Sequence, residues 1–338
     1  MKLHTNETPQ KNYSLSLLRF IAMAFIVLCH FLQYYGNELA WWFNVGVQIF
    51  FCISGFLYGN KKITSPIEFV GKNFKKILIP YYCFLIPSII LYFVFHKESI
   101  DISTAIYSLL TIRTIDGLGH LWFISYILFC YLITPYLQAL ADIMKKLKWQ
   151  VFSFVCILIA MAGFLLSYAF NSFFDFSRIF CYLFGYFTAV FLHNYKNNIF
   201  KIFTCIIVVL TIIMNIVKIY FKYINPGTFI FFDWFLAYAH ALLGISITLI
   251  FIVFFKKIKR VAFLDLTDKY SFFIYIVHQI FILSPFNLLS ITDYKIFNWT
   301  ITVLSIILCA ILLKLISDVV EKLFSNILTF VKKKICIS

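Results

Sequence analysis

The chain has 338 residues, of which 62% are apolar and only 13% are charged. Soluble domains contain about 45–50% apolar and about 25% charged residues, so this composition excludes a soluble globular fold, and it excludes a disordered chain as well. The net charge of +15 is compatible with nucleic-acid binding, but the basic residues lie between apolar runs, so we expect no nucleic-acid partner.

Ten apolar runs have the length of a membrane-spanning helix. About 20 residues of α-helix cross a bilayer core, so the sequence predicts an all-α bundle of about ten transmembrane helices. The predicted spans are 15–35, 41–59, 77–96, 118–138, 150–170, 177–194, 200–221, 230–255, 262–286 and 297–317.

The positions of lysine and arginine predict the orientation of these spans. Basic residues concentrate in alternate connections, as is typical of cytoplasmic loops, and this pattern places both termini in the cytoplasm. We expect one integral-membrane domain over 1–338, surrounded by membrane lipids, with spans from about 15 to 317. An amphipathic, basic cytoplasmic tail is predicted over 318–338. No polar segment is long enough for a soluble catalytic domain, so any chemistry must occur in the helix bundle.

The first span carries two ionisable side chains, Arg19 and His30, eleven residues apart. Such groups are costly in a membrane helix and are therefore candidates for function. Eleven residues of α-helix place both side chains on one face, about 16.5 Å apart along the axis. A snorkelling arginine and a hydrogen-bonded core histidine would give the same pattern without catalysis.

Two segments after the first span contain small or basic residues. The segment GVQIFFCISGFL, residues 46–57, has glycines that permit close helix packing. The predicted loop before the third span contains Lys72, Lys75 and Lys76, and Pro80 falls in the first turn of that span. Lysines in a cytoplasmic loop satisfy the positive-inside rule without any function, but as point charges they also suit the phosphates of an anionic cosubstrate.

Histidines recur in the later spans. His120 and Trp122 open the fourth span at its outer end, and His278 lies near the middle of the ninth. In the eighth span Asp233 and His240 are seven residues apart and therefore on one helix face, where they could form a structural hydrogen-bonded pair. The sequence has no paired cysteine spacing of the kind that binds metal, and no metal is expected.

Five of these features occur together and in order, and in this the chain resembles the acyltransferase 3 family of bacterial membrane acyltransferases, which modify cell-surface glycans. The motifs are Arg19-x10-His30, GVQIFFCISGFL, the basic segment that leads to Pro80, HLWF beginning at His120, and Ser271-x3-Tyr275-x2-His278. The basic segment is usually arginine-rich in the family. Here it has lysines only, which do not bind phosphate in the bidentate manner of arginine.

The resemblance implies an acyl-CoA donor, most often acetyl-CoA, and an acceptor hydroxyl on a saccharide or lipid-linked glycan, in the cytoplasmic membrane of a bacterium. It also implies that Arg19 and His30 are essential. His30 would act as the base or accept the acyl group itself. The expected catalytic residues are His30, Arg19 and His120; the expected donor-binding residues are Arg19, Lys72, Lys75 and Lys76; and the expected acceptor-binding residues are Trp122, His278 and Asp233.

Two other functions stay open on the sequence. The chain could be an exporter of a lipid-linked or nascent polysaccharide, or a non-catalytic partner in glycan assembly. Transporters often contain inverted repeats and interrupted helices, and the sequence shows no paired Gly/Pro-interrupted segments. This favours the acyltransferase.

Overall fold

The computed structural model describes residues 12–96, 100–144, 175–192, 197–229, 231–255 and 258–335, and positions 158, 161, 162, 165 and 169. Every regular element in these residues is helical. The α-helices are α1 (Tyr13–Tyr34), α2 (Ala40–Phe43), α3 (Gly46–Gly59), α4 (Pro66–Phe95), α5 (Ile102–Leu109), α6 (Trp122–Met144), α7 (Ser177–Leu192), α8 (Asn197–Ile219), α9 (Phe232–Phe254), α10 (Ala262–Val277) and α11 (Lys295–Ile335). Two 3₁₀ turns, Gly119–Leu121 and His278–Phe281, and a π turn, Tyr220–Ile224, complete them.

Within these described residues, seven helical segments are long and apolar enough to cross a membrane. They match the first, second, third, fourth, seventh, eighth and tenth predicted spans. The sixth and ninth correspond to α7 and α10, which have 16 residues each, and nearly all of the fifth, 150–170, lies outside the described residues. The prediction of an all-helical, multi-pass membrane protein is confirmed, whereas the count of ten and the sides of the termini stay predictions.

Helix α4 begins eleven residues before the predicted start of the third span, residue 77. Helix α4 begins at Pro66, after Ser65, whose Oγ accepts a hydrogen bond from the Glu68 amide at 3.4 Å. Serine before a helix and proline in its first position are both typical of an N-terminus. The lysines predicted in a loop are therefore helical, and Pro80 lies inside the helix. Hydropathy marks only the apolar part of a helix, so it missed the polar turns before residue 77.

The boundary predicted at residue 317 is not the end of a helix. Helix α11 runs without a break to Ile335, so the described part of the tail continues the last span. Across the predicted boundary Lys314 pairs with Asp318 at 2.5 Å, a spacing of four residues that stabilises a helix. The composition changes at this point, but residues 318–335 contain neither glycine nor proline, the two residues that most disfavour a helix.

One compact unit consists of Met1–Ala22, Val45–Leu57 and Ile159–Lys269. In it the backbones of α3 and α7 touch at two glycines. A Cβ built on Gly55 would lie 1.9 Å from the Tyr182 carbonyl oxygen, and one on Gly185 would lie 2.1 Å from the Cys52 carbonyl oxygen. Only glycine permits this approach, and the packing interpretation of the segment GVQIFFCISGFL is confirmed.

The second unit consists of Met23–Asn44, Tyr58–Leu158 and Tyr270–Ser338. Two tyrosines near its core hold the segment that follows α4. The Tyr81 hydroxyl donates to the Ser108 carbonyl at 2.5 Å, and the Tyr92 hydroxyl donates to the Asp116 carbonyl at 2.8 Å. The chain then turns at Gly117, with φ of +79°, into the 3₁₀ turn Gly119–Leu121. The bond from Tyr92 to Asp116, one residue before Gly117, places that turn, and therefore His120, at a defined point in the unit.

Candidate active site

Three histidines from distant parts of the sequence meet in the second unit. His30 comes from α1, His120 from the 3₁₀ turn before α6, and His278 from the 3₁₀ turn after α10. The ring centroids of His30 and His278 are 5.0 Å apart, and those of His120 and His278 are 4.8 Å apart. We call these three residues the histidine cluster. His278 is fully buried and His120 is 4% exposed.

Hydrogen bonds to backbone carbonyls define which nitrogen of two cluster members carries a proton. His120 Nε2 lies 2.8 Å from the Ile276 oxygen, and His278 Nδ1 lies 2.6 Å from the Tyr275 oxygen. A carbonyl oxygen only accepts, so both of these nitrogens are donors. In the neutral rings the lone pairs then lie on His120 Nδ1 and His278 Nε2, and both atoms are buried without a hydrogen-bond partner among the described residues.

His30 is the more accessible member of the cluster. Its Nδ1 lies 2.8 Å from Gln33 Oε1, one turn further along α1. With that amide oxygen as acceptor, Nδ1 carries the proton and Nε2 has the lone pair. All three neutral histidines thus retain one basic nitrogen each. A group of basic nitrogens in an apolar helix bundle is suited to accept a proton from a substrate or to attack a carbonyl group.

The backbone of His120 is also held by side chains from the end of α10. Gln279 Oε1 accepts a hydrogen bond from the His120 amide at 2.8 Å, and the Tyr275 hydroxyl donates to the His120 carbonyl. The sequence motif included Tyr275, but Gln279 and Ile276 were missed. Gln279 could have been identified as a glutamine in the apolar run beside His278. Ile276 contributes only its backbone carbonyl, so its side chain gave no indication of the contact.

Trp122 follows the 3₁₀ turn directly and begins α6. It is half-buried, and its ring contacts that of Tyr126 at a centroid distance of 5.4 Å. Trp122 lies two residues after His120 in the chain, and part of its side chain is exposed.

Arg19 forms an ion pair that the sequence did not predict. Its Nη1 lies 2.5 Å from Asp268 Oδ1, and Ser16 Oγ donates to the other carboxylate oxygen at 2.6 Å. The Arg19 side chain is 25% exposed and that of Asp268 12%. Helix α1 is unbroken between Arg19 and His30, so the eleven residues separate them by about 16.5 Å along the axis. An acidic residue in the apolar run 262–286 was the available signal for this partner.

The three lysines of the basic segment share α4. Lys72 and Lys76 are exposed, whereas Lys75 is half-buried. The Lys75 ammonium lies 3.9 Å from a carboxylate oxygen of Glu321 and 5.4 Å from the centre of the Phe324 ring, both on the extended part of α11. Since residues three and four apart are neighbours on a helix surface, Lys72 presents its charge beside those of Lys75 and Lys76.

One family model matches most of the chain. The model, described as an acyltransferase domain and belonging to the acyltransferase 3 family, covers residues 12–316. The chain belongs to the acyltransferase 3 family. Comparison with curated proteins and with solved structures gave no match. The matched range of this acyltransferase 3 chain includes every candidate site residue, and membership supports acyl transfer as its activity.

The predicted pair of Asp233 and His240 does not form. Asp233 lies exposed in the first turn of α9, and the His240 ring instead meets Lys218 of α8, with Nε2 3.3 Å from the ammonium nitrogen. Seven residues of α-helix separate two side chains by about 10.5 Å along the axis. A shared face was therefore not sufficient for a hydrogen bond. Among the described residues of this acyltransferase, no group of three histidine, cysteine or acidic side chains has metal-binding geometry.

Proposed function

We propose that the protein is a membrane O-acyltransferase, which moves an acyl group, most often acetyl, from acyl-CoA to a hydroxyl group of a saccharide. The acceptor is a cell-surface or lipid-linked glycan, and the enzyme works in the bacterial cytoplasmic membrane. The histidine cluster carries the proposal. Its three rings lie close together, with one basic nitrogen on each, in a protein whose family transfers acyl groups.

His30 is the catalytic base in this proposal, because it is the most accessible ring of the cluster. Its Nε2 takes the proton of the acceptor hydroxyl, and the oxygen attacks the thioester carbonyl carbon. The carbon–sulfur bond breaks, and the departing thiolate takes the proton from the imidazolium. In a second route His30 Nε2 attacks the thioester carbonyl carbon, and the carbon–sulfur bond breaks to release the thiolate of coenzyme A. The acceptor hydroxyl oxygen then attacks the same carbon, the bond from that carbon to Nε2 breaks, and the hydroxyl proton passes to the thiolate.

The acceptor contacts follow from the neighbours of His30. His120 orients the acceptor beside His30, and His278 supports both rings from its buried position. The exposed part of Trp122 offers an apolar face for the sugar ring. Asp233 keeps its proposed role as an acceptor ligand, with an exposed carboxylate in the first turn of α9.

The donor phosphates bind to basic side chains. The exposed ammonium groups of Lys72 and Lys76, with Lys75 beside them, suit the charge of coenzyme A. Arg19 is a further phosphate ligand, and Asp268 holds its guanidinium in one orientation. The family usually has arginines in the basic segment, so the lysines here bind phosphate as point charges rather than through paired hydrogen bonds.

The test is acetyl-ester content of surface glycan in cells that carry His30→Ala, measured by mass spectrometry with protein levels determined in parallel. We expect a loss of about 100-fold or more, the lower range for removal of a positioned base. The matched control is His96→Ala, since His96 is a histidine of the same unit whose ring packs on Phe286 rather than on the cluster. It should keep full acetylation.

Each other outcome of this test is informative. Full acetylation in His30→Ala at normal protein level would contradict the proposal. Loss of the glycan polymer itself, with no change in the acetylation of what is left, would instead indicate export or assembly. Purified wild-type protein and His30→Gln, each mixed with radiolabelled acetyl-CoA, separate the two routes. An acyl-enzyme intermediate labels the wild-type chain but not the variant, whereas direct transfer labels neither chain.

A further inference from the structure

The end of helix α10 contacts two members of the histidine cluster at once. The helix ends at Val277 and passes into the 3₁₀ turn His278–Phe281. Carbonyl groups in the last turn of an α-helix lack partners within the helix. Here the oxygen of Tyr275 accepts from the ring of His278, and the oxygen of Ile276 accepts from the ring of His120.

The same helix end holds the main chain of His120 from both sides. The Gln279 side chain accepts from the His120 amide, and the Tyr275 hydroxyl donates to the His120 carbonyl. His120 lies in a short 3₁₀ turn with no capping side chain of its own. Its backbone and its ring are therefore positioned by one segment, residues 275–279, which lies more than 150 residues away in the sequence.

We infer that Tyr275 and Gln279 are positioning residues, and that the end of α10 assigns opposite tautomers to the two buried histidines. His120 has its proton on Nε2 and its lone pair on Nδ1, whereas His278 has its proton on Nδ1 and its lone pair on Nε2. The catalytic meaning of this arrangement rests on the proposed function, but the tautomers themselves follow from contacts with backbone oxygens, which only accept hydrogen bonds.

The opposite tautomers allow both carbonyl groups of the helix end to accept a hydrogen bond from a histidine ring. If both buried rings carried the proton on the same nitrogen, one of the two helix-end carbonyls would lose its ring donor, and the basic nitrogen of that ring would point in a different direction. Displacing a reacting group by about 1 Å costs on the order of 100-fold in rate. Tyr275 and Gln279 prevent that displacement without touching the substrate.

The first experiment reads the tautomers directly, by nitrogen-15 NMR of the full-length protein labelled at its histidine rings. The chain has only seven histidines, and His120→Gln and His278→Gln assign the two signals by their loss. We expect a proton on Nε2 of His120 and on Nδ1 of His278. The reverse assignment, or the same tautomer in both rings, would overturn the inference.

The second experiment removes the backbone contacts one at a time. In Gln279→Leu and in Tyr275→Phe we expect kcat to fall about 10- to 100-fold while the KM for the donor stays unchanged, and we expect the His120 ring signal to change. Gln279→Glu should restore both, because a carboxylate oxygen also accepts from the His120 amide. Tyr81→Phe is the matched control, since it removes a buried hydroxyl-to-carbonyl bond at Ser108.

The outcomes separate this inference from the proposed function. Variants Tyr275→Phe and Gln279→Leu that behave like Tyr81→Phe in both the His120 signal and kcat would overturn the positioning role. If Tyr275→Phe does not fold, the spectrum of the wild-type protein and the pair Gln279→Leu and Gln279→Glu still decide it. A wild-type protein that shows the expected tautomers but no acyl transfer would refute the proposed function and leave the assignment of tautomers standing.

Discussion

Gly117 offers the sharpest test of the structure around His120, because an added methyl group there meets two separate penalties. The residue has φ of +79°, where an L-residue costs about 1–2 kcal/mol. A Cβ would also lie 2.7 Å from Ser284 Cα and 2.8 Å from the Tyr92 hydroxyl oxygen. Forcing an extra carbon into a packed site costs about 1–3 kcal/mol. We therefore expect Gly117→Ala to lower the free energy of unfolding by about 2–5 kcal/mol.

Two other glycines of the same unit separate the two penalties. Gly36 has φ of +64°, but nothing lies within 4 Å of its Cβ position, so Gly36→Ala should cost only the backbone term of about 1–2 kcal/mol. Gly119 has no positive φ, and its nearest neighbour would be Gln279 Nε2 at 3.9 Å, an ordinary contact. Gly119→Ala should be close to neutral.

The assay for this series is unfolding of the purified protein in detergent, followed by tryptophan fluorescence against denaturant, with acyl transfer measured on the same samples. The expected order of stability is wild type and Gly119→Ala first, then Gly36→Ala, then Gly117→Ala. Equal stability of Gly36→Ala and Gly117→Ala would refute the contact with Ser284. Since Gly117 is three residues before His120, its variant should also lose activity in the fraction that stays folded.

Three further predictions concern other contacts. Asp268→Ala should lower the free energy of unfolding by about 2 kcal/mol, because it leaves the Arg19 guanidinium without its carboxylate. The double variant Arg19→Met, Asp268→Leu should regain that stability in the same denaturation assay but should not regain acyl transfer. Full acyl-transfer activity of the double variant would show that Arg19 is structural only. Gly185→Ala should fail to accumulate as folded protein by fluorescence-detected size-exclusion chromatography, because its Cβ would lie 2.1 Å from a backbone oxygen, and normal accumulation would contradict the contact between α3 and α7. Lys72→Gln with Lys76→Gln should raise the KM for acetyl-CoA about 10-fold at unchanged kcat in steady-state kinetics, whereas a change in kcat alone would place these lysines outside the donor site.

Most of the helices could be predicted from hydropathy, because a bilayer requires runs of apolar residues long enough to cross it. Hydropathy is least informative where a helix extends beyond the apolar core. It marked only the apolar part of α4, whose first turns are set by Ser65 and Pro66 rather than by hydrophobicity, and it ended the last span at 317 although α11 continues to Ile335.

The sequence by itself determined that this chain is a multi-pass helical membrane protein and identified His30, His120 and His278 as candidate functional groups, since ionisable residues stand out in apolar spans. Only the tertiary structure decided that these three rings meet, that Arg19 pairs with Asp268, and that Asp233 does not pair with His240. The physical reason is that periodicity fixes which face of one helix a residue occupies, whereas contacts between helices depend on packing. The tautomers of the histidine cluster depend on backbone carbonyl groups of the end of α10, and every residue has a carbonyl group, so no side-chain pattern could have indicated them.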